Sequence, residues 1–198
     1  MYTAYLQSRK STYSLVLLSL GTMLLSGCSR SHQLGVEDNP QEILDIKLNN
    51  PHAELSPNQS ISLINHCAQL GEQNATLSAD RETCLVLGNT GAGKSTTVNY
   101  LMGCEMKLVK PSELHLSGVR KVVMVDPGST RAEIMPIGHG GQSRTFMPQI
   151  APDLDNSNKA YCDCPGFAGN RGAEINIANA INTSRVLQQA RGVKAVFL

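Results

Sequence analysis

Gly88-Asn89-Thr90-Gly91-Ala92-Gly93-Lys94-Ser95 sets glycines, a lysine and a hydroxyl in the order G-x-x-x-x-G-K-[ST]. That spacing suits a phosphate chain. Gly91 and Gly93 allow a sharp turn that brings backbone N–H groups close to phosphate oxygens. A helix starting at Lys94 adds N–H donors and the positive end of its dipole. Lys94 can reach the β- and γ-phosphates, the Ser95 hydroxyl can ligate Mg²⁺, and Thr96 adds a phosphate contact on the first helical turn. The second stretch of chemical interest is Lys159-Ala160-Tyr161-Cys162-Asp163-Cys164-Pro165-Gly166-Phe167, which reads as a strand ending in a carboxylate followed by a turn.

These residues need elements to hold them. Thr83–Leu87 is a short continuous apolar run, expected as a strand buried on both faces. A helix is expected from Lys94 to Met102, ended by Gly103. A strand is expected at Val119–Val125. A helix over Ala173–Ala190 aligns Ile177, Ile181, Ser184 and Leu187 on one face. Gly192 ends it, and an apolar strand follows at Val193–Leu198. Strands alternating with helices predict an α/β fold with a mostly parallel sheet.

The full eight-residue pattern, between a strand and a helix, identifies residues 82–198 as similar to the P-loop NTPases, whose fold is a three-layer sandwich. Asp163 and Gly166 complete D-x-P-G, which resembles the third motif of the Ras-like, translation-factor-class GTPases. It is closest in form to the septin-like and immune-associated branch, with Cys164 where that branch commonly has Thr. The resemblance implies that Asp163 holds Mg²⁺ through a water and that the Gly166 N–H senses the γ-phosphate. It also implies a switch threonine between the two motifs. Thr145, 18 residues before Asp163, is the preferred candidate and Thr130 the other. Gly138–Gly141 reads as a flexible loop with a solvated His139, and Arg144 is a candidate to face phosphate. Phe167 stands where these enzymes usually place a water-orienting Gln, so hydrolysis is expected to be slow. The chain stops inside its last strand, before the family's guanine-reading Asn-Lys-x-Asp segment, so the resemblance implies a domain incomplete at its C-terminus. The sheet is then expected to leave an exposed parallel edge and to be prone to associate. The implied function is GTP/GDP binding with Mg²⁺, as a switch, with a homodimer or effector as protein partner. An ATP-binding enzyme of another P-loop class, with Asp163 as a Walker-B-like acid, is the alternative.

The N-terminus points elsewhere. Residues 1–13 carry Arg9 and Lys10 and no acid, and an apolar stretch runs from Leu15 to Leu25. That is too short for a membrane-spanning helix but suits a signal peptide over residues 1–27. It ends in Leu25-Ser26-Gly27-Cys28, which resembles the lipobox of bacterial lipoproteins and implies lipidation at Cys28 and a membrane anchor. A non-enzymatic lipoprotein with a vestigial P-loop is therefore a further reading; if the signal reading fails, the expectation is cytoplasmic. Residues 28–81 are polar, with Pro40, Pro51 and Pro57, and read as a tether with short helices at Gln41–Leu48 and Ile61–Leu70. The formal net charge is +1, which offers no charge-driven attraction to nucleic acid. Aromatics make up 4% and Trp is absent, so the core must be aliphatic. The five His show no metal-ligand spacing. The six cysteines are too sparse for a disulfide scaffold. Cys162 and Cys164, two apart on the expected strand, are expected on opposite faces, which argues against a metal site there.

Overall fold

The computed structural model describes residues 2–6, 39–115, 121–139, 145–167 and 171–198. The sheet is built on β2 (Glu82–Leu87), which runs parallel to β6 (Lys159–Asp163) on one side and to β7 (Gly192–Phe197) on the other. β5 (Gln149–Pro152) pairs antiparallel with β6. β1 (Tyr2–Leu6) pairs antiparallel with β7, so the strand order is β1-β7-β2-β6-β5. The exposed parallel edge expected from the sequence is thus covered: the N-terminal stretch occupies the outer side of β7. β3 (Met106–Val109) and β4 (Val122–Val125) form a separate antiparallel pair. The expected strand at Val119–Val125 is β4, within the described residues from Val122 onward.

Strand alternation divides the core between two faces. Leu85, Ile150, Ala160, Cys162, Cys164 and Val193 form one apolar cluster with Ala75, Val186 and Ala190. Val86, Ala151 and Tyr161 turn the other way, toward Val98, Met102 and Met135. The first face is covered by α2 (Pro57–Ala75) and α4 (Ala173–Gln189), the second by α3 (Lys94–Leu101). The protein is therefore an α/β structure with a mostly parallel sheet between helices.

Two expectations are corrected here. Residues 39–75 are not a tether. α1 (Pro40–Asn49) starts at an Asn39 cap with Pro40 in the first turn. α2 starts at Ser56, whose hydroxyl accepts from the Gln59 amide while the Gln59 side chain accepts from Ser56 N–H, a reciprocal cap ahead of a 19-residue helix. α2 buries Leu63, Cys67, Ala68 and Ala75. It lies so close to α4 that Gly71 meets the Asn182 side chain where a Cβ would stand. The short helices expected at Gln41–Leu48 and Ile61–Leu70 lie within α1 and α2; what the sparse apolar residues hid is the packing of α2, because small residues such as Gly71 and Ala75 make its contact. The second correction concerns α4. Ile177, Ile181, Ser184 and Leu187 do share a face, but it points outward. The buried stripe is Ile175, Ala178, Asn182 and Val186. Both stripes fit helical periodicity, and composition alone favours the wrong one.

Candidate functional site

The Gly88–Ser95 loop joins the C-terminal end of β2 to α3. Gly91 (φ 82°) and Gly93 (φ 90°) both take left-handed backbone, which a side chain would strain. This lets the chain turn from a buried strand straight into a helix whose first amides have no partner within the helix. Lys94 folds back over the loop, and its Nζ donates to the Asn89 carbonyl at 2.8 Å. The Ala92 amide donates to the same carbonyl at 3.2 Å. Thr96 is half-buried on the first turn of α3.

Beneath the loop, three side chains from distant points in the sequence meet. Ser95 Oγ donates to Asp163 Oδ2 at 2.6 Å. Thr145 Oγ1 donates to the same oxygen at 3.0 Å and lies 3.5 Å from Ser95 Oγ. Asp163 ends β6, next to β2 in the sheet, so the parallel pairing of Val86 with Asp163 delivers the carboxylate to the start of the loop. Asp163 is fully buried, and its Oδ1 has no hydrogen-bond partner. Burial pushes its carboxyl above the usual range, opposed by the bonds from Ser95 and Thr145 and by the charge of Lys94. Burial likewise lowers the Lys94 ammonium, with Asp163 acting against that. The arrangement can accept an anion above the loop, and a hard cation at the unpartnered carboxylate oxygen.

The turn after Asp163 rests on the loop. A Cβ on Gly166 would lie 2.6 Å from the Thr90 amide nitrogen, so only glycine allows this approach. Phe167 follows, 66% exposed. Of the two candidate threonines, Thr145 reaches Asp163. Thr130 instead lines a polar depression with Asp126, Arg131 and His139. Cys28, Gly140, Gly141 and Arg144 lie outside the described residues.

Cys162 and Cys164 do not face opposite ways. Their sulfurs are 3.7 Å apart and both are buried in the same cluster. Residues two apart on a strand share a face, so this spacing brings the two thiols together rather than separating them. The hydrogen bond with the neighbouring Cys164 thiol, and then burial, push the Cys162 thiol upward, which keeps it protonated.

Asn99 was missed altogether. It is fully buried on α3, one turn after Ser95, whose carbonyl it bonds at 2.9 Å. Its Nδ2 also donates to the Met135 carbonyl at 2.7 Å, and its Oδ1 accepts from the amides of Ile134 at 2.7 Å and Met135 at 3.1 Å. A loop with no regular structure of its own is thereby fixed to the helix that carries Lys94 and Ser95. The available signal was a polar, helix-disfavouring residue in a buried register, four after Ser95 and next to Val98.

Among the described residues no group of three or more His, Cys, Asp or Glu is placed to hold a metal, and no helix is long and apolar enough to cross a membrane. Comparison with protein-family models, curated proteins and solved structures returns no match to this chain.

Proposed function

We propose that the chain is a P-loop protein that binds a Mg²⁺-complexed guanine nucleotide at Gly88–Thr96 and hydrolyses it slowly, as a switch. The observation that carries this reading is the meeting of Ser95, Thr145 and Asp163 under a left-handed glycine loop, with Asp163 Oδ1 buried and unpartnered. Buried polar atoms are rarely left without a partner, and a carboxylate oxygen left so beside two hydroxyls and a glycine loop is consistent with a bound cation. One carboxylate and two hydroxyls make a hard-oxygen set. It suits Mg²⁺, which takes one or two protein carboxylates and completes its shell with phosphate and water. Ser95 and Thr145 would hold the ion with Asp163, and the ion would neutralise phosphate charge.

The chain's own residues supply the rest of the mechanism. The amides of Gly91, Gly93, Lys94, Ser95 and Thr96 line the phosphates. Lys94 would exchange its bond to the Asn89 carbonyl for the β- and γ-oxygens. The Gly166 backbone, close against Thr90, would supply its amide to the γ-phosphate. Phe167 offers no group to orient a water, so turnover is slow while binding is retained. Lipidation at Cys28, with membrane attachment, is a separate element of the same proposal; it would remove residues 1–27 and with them β1, leaving the outer side of β7 uncovered in the processed protein. Intact-mass measurement of the protein isolated from membranes, before and after Cys28→Ser, tests it.

Thermal melts of the full chain with Mg²⁺ and GTP, GDP or ATP test the nucleotide reading. A ligand at a hundredfold excess over its Kd stabilises the folded state by about 2.7 kcal/mol. The expected result is a rise with GTP and GDP that ATP does not give and Lys94→Ala abolishes. A rise with ATP alone would move the protein to an adenine-nucleotide class. No rise with any nucleotide, in folded protein, would refute the reading.

A further inference from the structure

The segment bearing Thr145 reaches the Asp163 carboxylate, and the start of α4 packs in one cluster with its Phe146. Both are fastened on their far side to the same pair of helices, α1 and α2. Phe146, the neighbour of Thr145, packs against a buried cluster of Ile43 and Leu44 from α1, Leu63 and Cys67 from α2, and Ile175 and Ala178 from α4. Near the end of α2, Asn74 Nδ2 donates to the Pro148 carbonyl at 2.9 Å. On the α4 side, Lys47 is only 5% exposed. Its Nζ lies 3.4 Å from Glu174 Oε2 and donates to the Ala53 carbonyl at 2.8 Å. Ser60 Oγ of α2 donates to Glu174 Oε1 at 3.1 Å.

A buried lysine paired with a half-buried glutamate is a poor way to add stability, because desolvating the charges offsets their attraction. It is a good way to fix one arrangement of three helices, since any shift strands a charge. Packing around Phe146 is equally intolerant of a small displacement.

We propose that α1 and α2 are the output element of the nucleotide site. A triphosphate with its metal would draw the Thr145 hydroxyl off Asp163 Oδ2 and take up the Gly166 amide. Phe146 and the start of α4 would then move together, and the cluster and the Lys47–Glu174 pair would carry that change into α1 and α2. The diphosphate, lacking the γ-phosphate, makes neither pull. Coupling of this kind is reciprocal, so disturbing the helices changes the preference for triphosphate over diphosphate. The inference rests on the nucleotide reading above.

The test uses the full chain, Mg²⁺, and the non-hydrolysable triphosphate analogue and the diphosphate of whichever base binds. Calorimetry gives both affinities, and hydrogen exchange reads the amides of residues 40–75. The expected result is different exchange in α1 and α2 between the two ligands. Lys47→Met should erase that difference and lower the triphosphate-to-diphosphate affinity ratio roughly tenfold, leaving diphosphate affinity in place. A merely structural loss would weaken both ligands alike. If Lys47→Met does not fold, Phe146→Leu carries the same comparison. Wild-type protein that binds both ligands with identical exchange in α1 and α2 overturns the proposal, as does an unchanged ratio in the variant. Wild-type protein that binds neither ligand overturns the nucleotide reading and this inference with it.

Discussion

Replacing Asn99 with leucine is a sharp test of how the loop over α3 is held. Leucine keeps the branching and heavy-atom count of asparagine and has a better helix propensity, so side-chain shape and local preference change little, although its two methyl groups add bulk and a packing cost of their own. What changes most is hydrogen bonding. The amides of Ile134 and Met135 and the carbonyl of Met135 lose their Asn99 partner, and Met135 is only 3% exposed. Each such bond is worth about 0.5–1.5 kcal/mol net, and stranding a buried group costs about 1–3 kcal/mol. Three groups, partly relieved by water reaching the loop, give a loss of about 3 kcal/mol. A domain of this size loses about 2–4 °C of melting temperature per kcal/mol, so the midpoint should fall by about 6–12 °C. Urea unfolding followed by far-ultraviolet circular dichroism measures the loss. Tyr100→Ala, at an exposed position on the same helix, serves as control and should stay within about 0.5 kcal/mol. An Asn99→Leu protein as stable as the control would show that these bonds do not hold the loop, and the reasoning from burial would fall.

The metal-free protein should be under strain at Asp163. Its folded carboxyl titrates above the usual range because of burial, so stability is greatest below the ordinary aspartate pKa and declines as pH rises from there to the folded value. Asp163→Asn should flatten that decline and melt higher than wild type at neutral pH without Mg²⁺, yet gain nothing from added Mg²⁺–nucleotide. Melts across pH 4–7 that favour wild type would contradict this. At the α2–α4 contact, Gly71→Ala forces a methyl into Asn182 and should cost about 1–3 kcal/mol, with Gly71→Ala/Asn182→Ala recovering part of it. Equal melting temperatures for Gly71→Ala and wild type would show that the two helices separate easily.

The local geometry of the glycine loop was legible without a structure. A strand, a glycine turn, a lysine and a hydroxyl act within eight residues, so local geometry alone dictates where Lys94 and Ser95 stand. The strand ending at Asp163, the helix Lys94–Leu101 and the helix after Gly172 could be read for the same reason: short-range periodicity and turn residues specify them. What the sequence could not fix is which face each element buries. For α4 two stripes compete, and the outward one is richer in large apolar residues. The choice falls to Ile175, Ala178, Asn182 and Val186 because α2 offers them a partner surface with room for Asn182 at Gly71. The integration of α1 and α2 was hidden likewise, since a polar segment becomes structural only through what it meets. The meeting of Thr145 with Asp163, and the role of Asn99, depend on contacts across 18 and 35–36 residues. Such contacts exist only once the sheet order places β6 beside β2 and α3 beneath the loop. Local sequence sets the dihedral angles and the donor types, whereas tertiary packing decides which donors share a site.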